Sequence, residues 1–368
     1  MIRVKQKKIY LIVAGFLVLW LAGCTSARSE TAVSQVTPEP TDTAVPPTEV
    51  PTETAVPPTD TPEPTDEPTP TPTLEPTEEP TVIPTPKPEF VELLVIKNDP
   101  VALKDPGGIA VDSQDNLYVL DAGNDRVLKF DSEGALVQSW DSKGSGDGEI
   151  NSLGFGGVAV DANDNLFVVD NANFRIQKFD SEGNYVTQWG AEGLRNGQFK
   201  RAIGIAIDSE GNIYISDDGR PEIQVFDNNG NFLRKFGSRG DGEGEFQHPT
   251  GIAVDGDGNV YVADYENKWV QKFDPEGNFL MGWGMTVNAA GTPEGIGVDA
   301  NGRIYITDYD RARVEIYEAD GTFIADWVGG ESGRFNRPVG VAFDSQGNVY
   351  VSNQGSSTIF KFAAPPLP

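Results

Sequence analysis

Five aspartates recur at one fixed place in a repeated pattern, and carboxylates spaced in this way could bind a cation. Each lies nine residues after the Asp that ends a short apolar motif; they are Asp121, Asp170, Asp217, Asp264 and Asp308. Oxygen ligands of this kind suit divalent cations. A residue present in almost every unit more often builds the unit, here by accepting hydrogen bonds from loop amides or by pairing with the bases five positions later, Arg126, Arg175 and Arg313. We favour this structural role and keep a divalent cation as the alternative; no other cofactor is predicted.

The chain has a single histidine, His248, which lies just before Pro249 in a segment of variable length. It could act as a general base or as a lone metal ligand, or it could be an ordinary polar loop residue. One His and one Cys exclude zinc fingers and His/Cys-rich metal sites. No Ser/His/Asp or Cys/His triad can be assembled either. The sequence therefore predicts no catalytic residue, and we regard binding as favoured over catalysis.

Residues that depart from the repeated pattern are better candidates for ligand contacts than residues that recur. Trp269, for example, stands where three other units have Arg, although it could also pack on the neighbouring unit. Aromatic and Arg side chains are common anchors in binding sites. We predict a binding face on the variable loops that comprises Arg195, Arg220, His248, Tyr265, Trp269, Tyr309, Arg311 and Arg337.

The overall charge excludes one large class of partner. The 368 residues include 28 Lys+Arg and 56 Asp+Glu, which gives a formal net charge of -28. Proteins that bind nucleic acids need clustered bases to replace phosphate counterions. A nucleic-acid partner is therefore not expected, whereas a local basic patch could still contact an anionic glycan or protein. One cysteine also excludes an internal disulfide.

Residues 1–24 have the features of a secretory signal peptide. A short basic stretch precedes an apolar run over residues 9–21, which is short for a spanning helix. The segment ends Leu21-Ala22-Gly23-Cys24, which resembles a bacterial lipobox, where the cysteine is lipidated and the chain is cut before it. The alternative is an uncleaved anchor helix. Either interpretation predicts a membrane-anchored protein facing the outside of the cytoplasm, and lipid chains at Cys24 would hold it there.

Residues 25–88 have the composition of a disordered linker. Of these 64 residues, 17 are Pro and 17 are Thr, and acids outnumber bases. Such a segment cannot bury enough apolar surface to offset its chain entropy, and Pro-rich chains are extended. We predict an acidic Pro/Thr-rich stalk; the pattern also resembles O-glycosylated stalks.

Residues 89–368 contain six copies of one unit. Each copy begins with a motif that ends in Asp; these are GGIAVD (Asp112), GGVAVD (Asp161), IGIAID (Asp208), TGIAVD (Asp255), EGIGVD (Asp299) and VGVAFD (Asp344). Aromatic residues follow six and 18 positions after the Asp in every copy, and 28 positions after it in the first five. All variation in length lies in the segments that join one unit to the next. These are residues 142–157, 191–204, 238–251, 285–295 and 329–340.

Each unit reads as four short strands separated by hairpin turns such as DGDGN and DPEGN. Repeated four-stranded antiparallel sheets form the blades of a β-propeller. The sixth unit ends before its fourth strand, and the apolar stretch at 91–96 lies where that strand is missing. We therefore predict an all-β, six-bladed β-propeller whose N-terminal strand closes the last blade, with helix limited to single turns.

The repeats resemble NHL repeats. The resemblance is carried by GEFQHPTGIAVD (244–255), GRFNRPVGVAFD (333–344) and NFRIQKFD (173–180), and it extends over the whole of residues 89–368. It implies the propeller fold but not one function, because NHL-like propellers include enzymes, RNA-binding proteins, sensors and interaction platforms. Lyases that resemble this family use several His residues, which one His cannot reproduce. Gluconolactonase-like propellers use Glu, Asn and Asp metal ligands, which composition allows.

These observations predict a monomeric, envelope-anchored binding module whose loop face contacts a protein, peptide or glycan. The alternatives are an extracellular metal-dependent lyase or lactone hydrolase and a ligand-binding sensor subunit. Variable loops on a rigid scaffold are the usual place of function in all three cases.

Overall fold

A computed structural model describes residues 89–98, 101–285, 291–365 and 367. The chain divides into two units, Met1–Glu79 and Pro80–Pro368, and every described residue belongs to the second. The signal peptide with Cys24 and the predicted linker over 25–88 lie outside the described residues. Within the described part, no helix has the length and apolarity needed to cross a membrane.

The described residues form six blades of four strands each. Blade 1 consists of β2 (Pro106–Val111), β3 (Leu117–Asp121), β4 (Arg126–Phe130) and β5 (Leu136–Trp140). Blade 2 consists of β6 (Val158–Val160), β7 (Leu166–Asp170), β8 (Arg175–Phe179) and β9 (Tyr185–Trp189). Blade 3 consists of β10 (Ala202–Ile207), β11 (Ile213–Asp217), β12 (Glu222–Phe226) and β13 (Phe232–Phe236).

The second half of the ring repeats this arrangement. Blade 4 consists of β16 (Pro249–Val254), β17 (Val260–Asp264), β18 (Trp269–Phe273) and β19 (Phe279–Gly284). Blade 5 consists of β20 (Pro293–Val298), β21 (Ile304–Asp308), β22 (Arg313–Tyr317) and β23 (Phe323–Trp327). Blade 6 consists of β26 (Pro338–Phe343), β27 (Val349–Asn353), β28 (Thr358–Phe362) and β1 (Glu92–Ile96). All pairs within blades are antiparallel.

Short elements complete the described structure. Two pairs of two-residue strands lie in inter-blade loops, namely β14 (Ser238–Arg239) with β15 (Glu245–Phe246) and β24 (Gly329–Gly330) with β25 (Gly333–Arg334). The helical residues among those described form two single 3-10 turns, η1 (Ala122–Asn124) and η2 (Asn171–Asn173). The predicted fold class is confirmed in these residues.

The predicted closure of the ring is also confirmed. Strand β1 is the outer strand of blade 6 and pairs with β28, with Glu92 opposite Phe362 and Ile96 opposite Ile359. Phe90 stacks on Trp327 of blade 5 with ring centroids 4.0 Å apart. The two ends of the domain are thus joined without a covalent link, and the sheet edge that blade 6 would otherwise expose is paired.

The recurring aromatic residues pack between blades. The aromatic 28 positions after each motif Asp contacts the aromatic at position 18 of the next blade. The centroid distances are 6.0 Å for Trp140–Phe179, 5.8 Å for Trp189–Phe226, 4.9 Å for Phe236–Phe273, 5.9 Å for Trp283–Tyr317 and 5.6 Å for Trp327–Phe362. Ring pairs of this kind contribute about 0.5–1.5 kcal/mol beyond the area they bury.

Small residues are required where the innermost strands of neighbouring blades approach each other. A Cβ atom on Gly108 would lie 2.7 Å from Cα of Gly157, and one on Gly251 would lie 2.5 Å from the carbonyl oxygen of Glu294. Side chains at these positions would push the blades apart. The Gly-rich first strands therefore follow from the geometry of the axis.

The turn DGDGN is a hairpin turn rather than a calcium loop. The carboxylate of Asp255 accepts hydrogen bonds from the backbone amides of Asp257 and Asn259, at 3.0 and 2.9 Å. Gly258 has φ +84°, which glycine adopts without strain. The equivalent Asp of every blade caps its turn in this way, which explains why the motif ends in Asp.

Candidate functional site

The five recurring aspartates hold the loops of one face to the blades. Each is fully buried, and each accepts hydrogen bonds from backbone amides of the preceding inter-blade loop. Asp264, for example, accepts from the amides of Gln247 and His248 at 2.8 and 3.0 Å. The corresponding bonds reach Asp121, Asp170, Asp217 and Asp308 from Lys104, Asn151, Lys200 with Arg201, and Thr292. These carboxylates therefore have the loop-capping contacts that the structural interpretation expects.

The recurring Asp pairs with the Arg five positions later, as expected, in two blades. Arg126 donates to Asp121 at 2.7 Å, and Arg175 donates to Asp170 at 2.6 Å. Arg313 instead forms an ion pair with Asp326 at 2.9 Å. Within the described residues, no group of three His, Cys, Asp or Glu side chains is placed to hold a metal ion.

A narrow channel runs along the propeller axis and widens on the loop face. Its wall is formed by the first strands of the six blades, with residues such as Ile109, Val158 and Ile296. On the loop face it opens into a depression with an empty volume of about 530 Å³, which we call the recess. The recess is lined by Phe155, Arg201, Ile203, Asp218, His248, Thr250, Tyr265, Glu294 and Tyr309.

Most lining residues come from three positions of the repeat that vary from blade to blade. These positions lie seven and five residues before the motif Asp and ten residues after it. The backbone joins the first and third of them: the amide of Tyr265 donates to the carbonyl of His248 at 3.0 Å, and that of Asp218 donates to Arg201 at 3.0 Å. Because the scaffold repeats, the variable side chains of different blades converge on the same opening.

One side of the recess has a linked polar group. Nε of Arg201 lies 2.9 Å from Oδ2 of Asp218, and Nδ1 of His248 lies 3.2 Å from Oδ1 of the same carboxylate. The Asp218 side chain is 3% exposed, whereas those of Arg201 and His248 are each 47% exposed. Burial raises the pKa of Asp218, and the charges of Arg201 and His248 oppose that shift. One buried carboxylate thus lies within 3.2 Å of both side chains at the opening.

Glu294 stands in the recess without a partner. The residue is 6% exposed, and its carboxyl makes no hydrogen bond or ion pair with the residues that the structure describes. Burial raises its pKa to about 8, and the negative charge of Asp218 adds to the shift. The other blades have Gly, Gly, Ile, Thr and Val at this position. At neutral pH the group is thus mainly a neutral carboxylic acid, which can donate a hydrogen bond.

Aromatic rings form much of the remaining wall. The ring centroids of Tyr265 and Tyr309 are 6.5 Å apart, and those of Phe155 and Tyr309 are 6.4 Å apart. The Tyr309 hydroxyl donates to Oε1 of Gln354 at 2.6 Å, and the Tyr265 hydroxyl donates to Asp310 at 3.3 Å. Both rings are therefore held in place by neighbouring blades.

Four of the eight residues predicted for the binding face lie at the recess. His248, Tyr265 and Tyr309 line it, and the Arg337 guanidinium lies 5.6 Å from the centre of the Tyr309 ring. The predicted loop face is thus the face on which these side chains meet.

The other four predicted residues lie outside the recess lining. Arg220 is buried, where it pairs with Glu222 at 2.6 Å and donates to the carbonyls of Arg195 and Gln198. The Arg195 side chain is exposed in the inter-blade loop over residues 191–204. Trp269 begins β18 and packs near Gly282 of the adjacent strand, and the amide of Arg311 donates to Asp308.

Sequence reasoning did not single out Phe155, Asp218, Thr250 or Glu294. Glu294 was hidden because it begins EGIGVD, a motif that builds the scaffold in every unit. A signal was nevertheless present, since aligning the six copies isolates three variable positions around an otherwise regular first strand.

Comparison with protein families finds one match. The NHL repeat description matches residues 103–130, 156–179, 246–273, 291–317 and 335–362. These segments lie in blades 1, 2, 4, 5 and 6. No curated protein matches the chain significantly.

Many solved structures share the fold. A streptogramin B lyase has a TM-score of 0.53 and 13% identity, covering 76% of this chain and 97% of its own. A gluconolactonase from Xanthomonas campestris has a TM-score of 0.54 and 17% identity, covering 72% and 87%. A protein of unknown function from Bacteroides thetaiotaomicron has a TM-score of 0.57 and 17% identity, covering 75% and 72%. At these identities the likeness concerns the fold, and together with the family match it identifies the chain as an NHL-repeat protein folded as a six-bladed β-propeller.

Proposed function

We propose that this protein is a binding module that takes a small organic ligand, or the terminal group of a peptide or glycan, into the recess. The observation that carries the proposal is the convergence of the variable repeat positions on one opening. Aromatic walls supply contact area, while Glu294, Arg201, His248 and the tyrosine hydroxyls supply polar contacts. Concave sites with a few convergent polar groups are the usual form of small-molecule sites.

The proposal includes a place in the cell. The lipobox-like sequence at Cys24 and the Pro/Thr-rich segment that follows support a lipid anchor in a membrane of the cell envelope, with the propeller facing the outside of the cytoplasm. The propeller would then sample ligands outside the cytoplasm. Labelling of the full-length protein with a radioactive fatty acid, compared with Cys24→Ser, tests the anchor.

Catalysis is a second candidate, favoured by the contact between His248 and Asp218. An imidazole whose Nδ1 faces a buried carboxylate presents Nε2 for proton abstraction. Glu294, which keeps its proton near neutral pH, could supply a proton in the same recess. Among the structural relatives are a streptogramin B lyase and a gluconolactonase, so elimination and lactone hydrolysis are the reactions to assay. The described residues do not supply a three-donor metal set, and we derive no metal-assisted step.

The test of the binding proposal is a fragment screen by ligand-observed NMR on the purified full-length protein. For a fragment that binds, the substitution Phe155→Ala or Tyr309→Ala should lower the affinity at least tenfold. Leu194→Ala is the matched control, because this side chain is 69% exposed in an inter-blade loop and lies outside the recess lining. Binding that persists equally in all variants, or no binding by any fragment class, would contradict the proposed site.

A further inference from the structure

Glu294 points to the chemical class of the ligand. Glu294 is 6% exposed, lines both the channel and the recess, and has no partner among the described residues. Its carboxyl therefore offers a hydrogen-bond donor when protonated, and two acceptor oxygens when ionised, to whatever enters the opening.

The charges around Glu294 favour a positive partner. Asp218 and Asp310 both raise its pKa, and Arg201 is the cation that lowers it. Arg201, however, already forms an ion pair with Asp218 at 2.9 Å. The remaining basic group at the lining, His248, faces the same Asp218 carboxylate. No cation of the lining is therefore paired to Glu294 itself, and the negative charges of Asp218 and Asp310 act on the space beside it.

The aromatic wall suits a cation as well. Phe155, Tyr265 and Tyr309 place three rings beside the opening, with centroid separations of 6.4 and 6.5 Å between neighbours. Ring faces attract ammonium groups, most strongly where water is excluded.

We propose that the ligand carries an organic ammonium group, which forms an ion pair with the Glu294 carboxylate between the rings of Phe155, Tyr265 and Tyr309. This inference rests on the proposed function, because it names the ligand class of the same recess.

A proton must leave when such a ligand binds near neutral pH. Burial and Asp218 raise the pKa of Glu294 to about 8, whereas an adjacent ammonium group favours its ionised form. Binding at pH 7 therefore ionises Glu294 and releases close to one proton to the solvent. The other charged or titratable groups facing this volume are Asp218, Asp310, Arg201, His248, Arg337, Tyr265 and Tyr309. A neutral ligand would leave the Glu294 proton in place.

The experiment uses matched trios in the fragment screen on the full-length protein. One trio is choline, its uncharged isostere 3,3-dimethylbutan-1-ol and the anion 3,3-dimethylbutanoate. The other is phenethylamine, 2-phenylethanol and phenylacetate. We expect at least one cation to bind tenfold or more tightly than its neutral partner. Glu294→Gln should weaken that cation at least tenfold, whereas Glu243→Gln, which removes an exposed loop acid, should leave its affinity unchanged.

Calorimetry provides a readout that needs no variant. The preferred cation is titrated at pH 7 in two buffers of different ionisation enthalpy, and the comparison should show that binding releases close to one proton. Above about pH 9, where Glu294 is already ionised, binding should release none. Tighter binding of the neutral or anionic member, no proton release, or an affinity unaffected by Glu294→Gln would overturn the ammonium inference while leaving a binding recess. Absence of binding by every fragment class would overturn the proposed function as well.

Discussion

Nδ1 of His248 lies 3.2 Å from Oδ1 of Asp218, and the two residues come from different segments of the ring. His248 precedes blade 4, while Asp218 follows the second strand of blade 3. The contact spans a blade boundary and fixes how the imidazole is presented to the recess. It also brings the single histidine of the chain next to a buried carboxylate of the preceding blade.

The first prediction concerns the tautomer of His248. In its neutral form the ring should carry its proton on Nδ1, which lies beside the Asp218 carboxylate, and Nε2 should be unprotonated. Because the chain has one histidine, its imidazole nitrogen signals can be assigned without ambiguity by ¹⁵N NMR. Asp218→Asn should remove the preference for this tautomer. An Nε2-protonated ring in the parent protein would contradict the contact.

The second prediction concerns the pH dependence of stability at Glu294. In the unfolded chain this carboxyl titrates near 4.5, whereas the folded protein retains the proton up to about pH 8. The folded state therefore binds more protons over this interval, and its stability relative to the unfolded state falls as the pH rises from about 4.5 to about 8. The Glu294→Gln variant has no titrating group at this position, so this fall in stability with rising pH should be absent from it.

The two proteins should be compared by denaturant unfolding between pH 4 and pH 9. Their free energies of unfolding should be similar at pH 4, and the variant should be the more stable above pH 8, by on the order of 4 kcal/mol. A difference that does not change with pH would contradict the raised pKa. Glu243→Gln serves as the control for the removal of one acidic side chain.

The third prediction concerns closure of the ring. Phe90 stacks on Trp327 just before β1, so Phe90→Ala should lower the free energy of unfolding by about 1–2 kcal/mol. Amide exchange in β28 should accelerate, because β1 is its outer neighbour. Val137→Ala, at a 55% exposed site on the outer strand of blade 1, should change stability by less than about 0.5 kcal/mol. Equal effects of the two changes would argue against a closing role.

The fourth prediction concerns the recurring aspartates. Asp264→Ala should destabilise the domain by about 2–4 kcal/mol, because the amides of Gln247 and His248 lose their buried acceptor. Amide exchange at these two residues should increase, and ligand affinity should fall because the His248 loop is released. Asp241→Ala, an exposed acid in the same loop, should do neither. A divalent cation site lost in Asp264→Ala without a change in stability would favour the metal-binding alternative instead.

The repeated part of this chain could be predicted from the sequence because each repeated residue has a local task. The motif Asp caps its own hairpin turn, the aromatic residues fill the space between neighbouring blades, and glycine is needed at the axis. Six copies with a missing final strand also required the closing strand near residues 91–96. Such features depend on nearest neighbours in the chain or in the ring, and regular spacing reveals them.

The site could be predicted only in part. His248, Tyr265 and Tyr309 depart from the repeat and belong to the predicted binding face, whereas Glu294 lies within the motif that builds every unit and Asp218 directly follows a strand. Arg195, Arg220, Trp269 and Arg311 also belong to the predicted binding face, but they are not among the residues that line the recess.

The sequence by itself thus determined the architecture, since strand pattern, turn chemistry and the count of repeats are properties of the linear order. Only the tertiary structure decided which departures act together. Closing six blades around one axis brings Glu294 of blade 5, Asp218 of blade 3 and Phe155 of the loop before blade 2 to one opening. Their spacing along the chain says nothing of this meeting, because the angle of each blade around the axis, rather than its distance in sequence, sets which side chains share the recess.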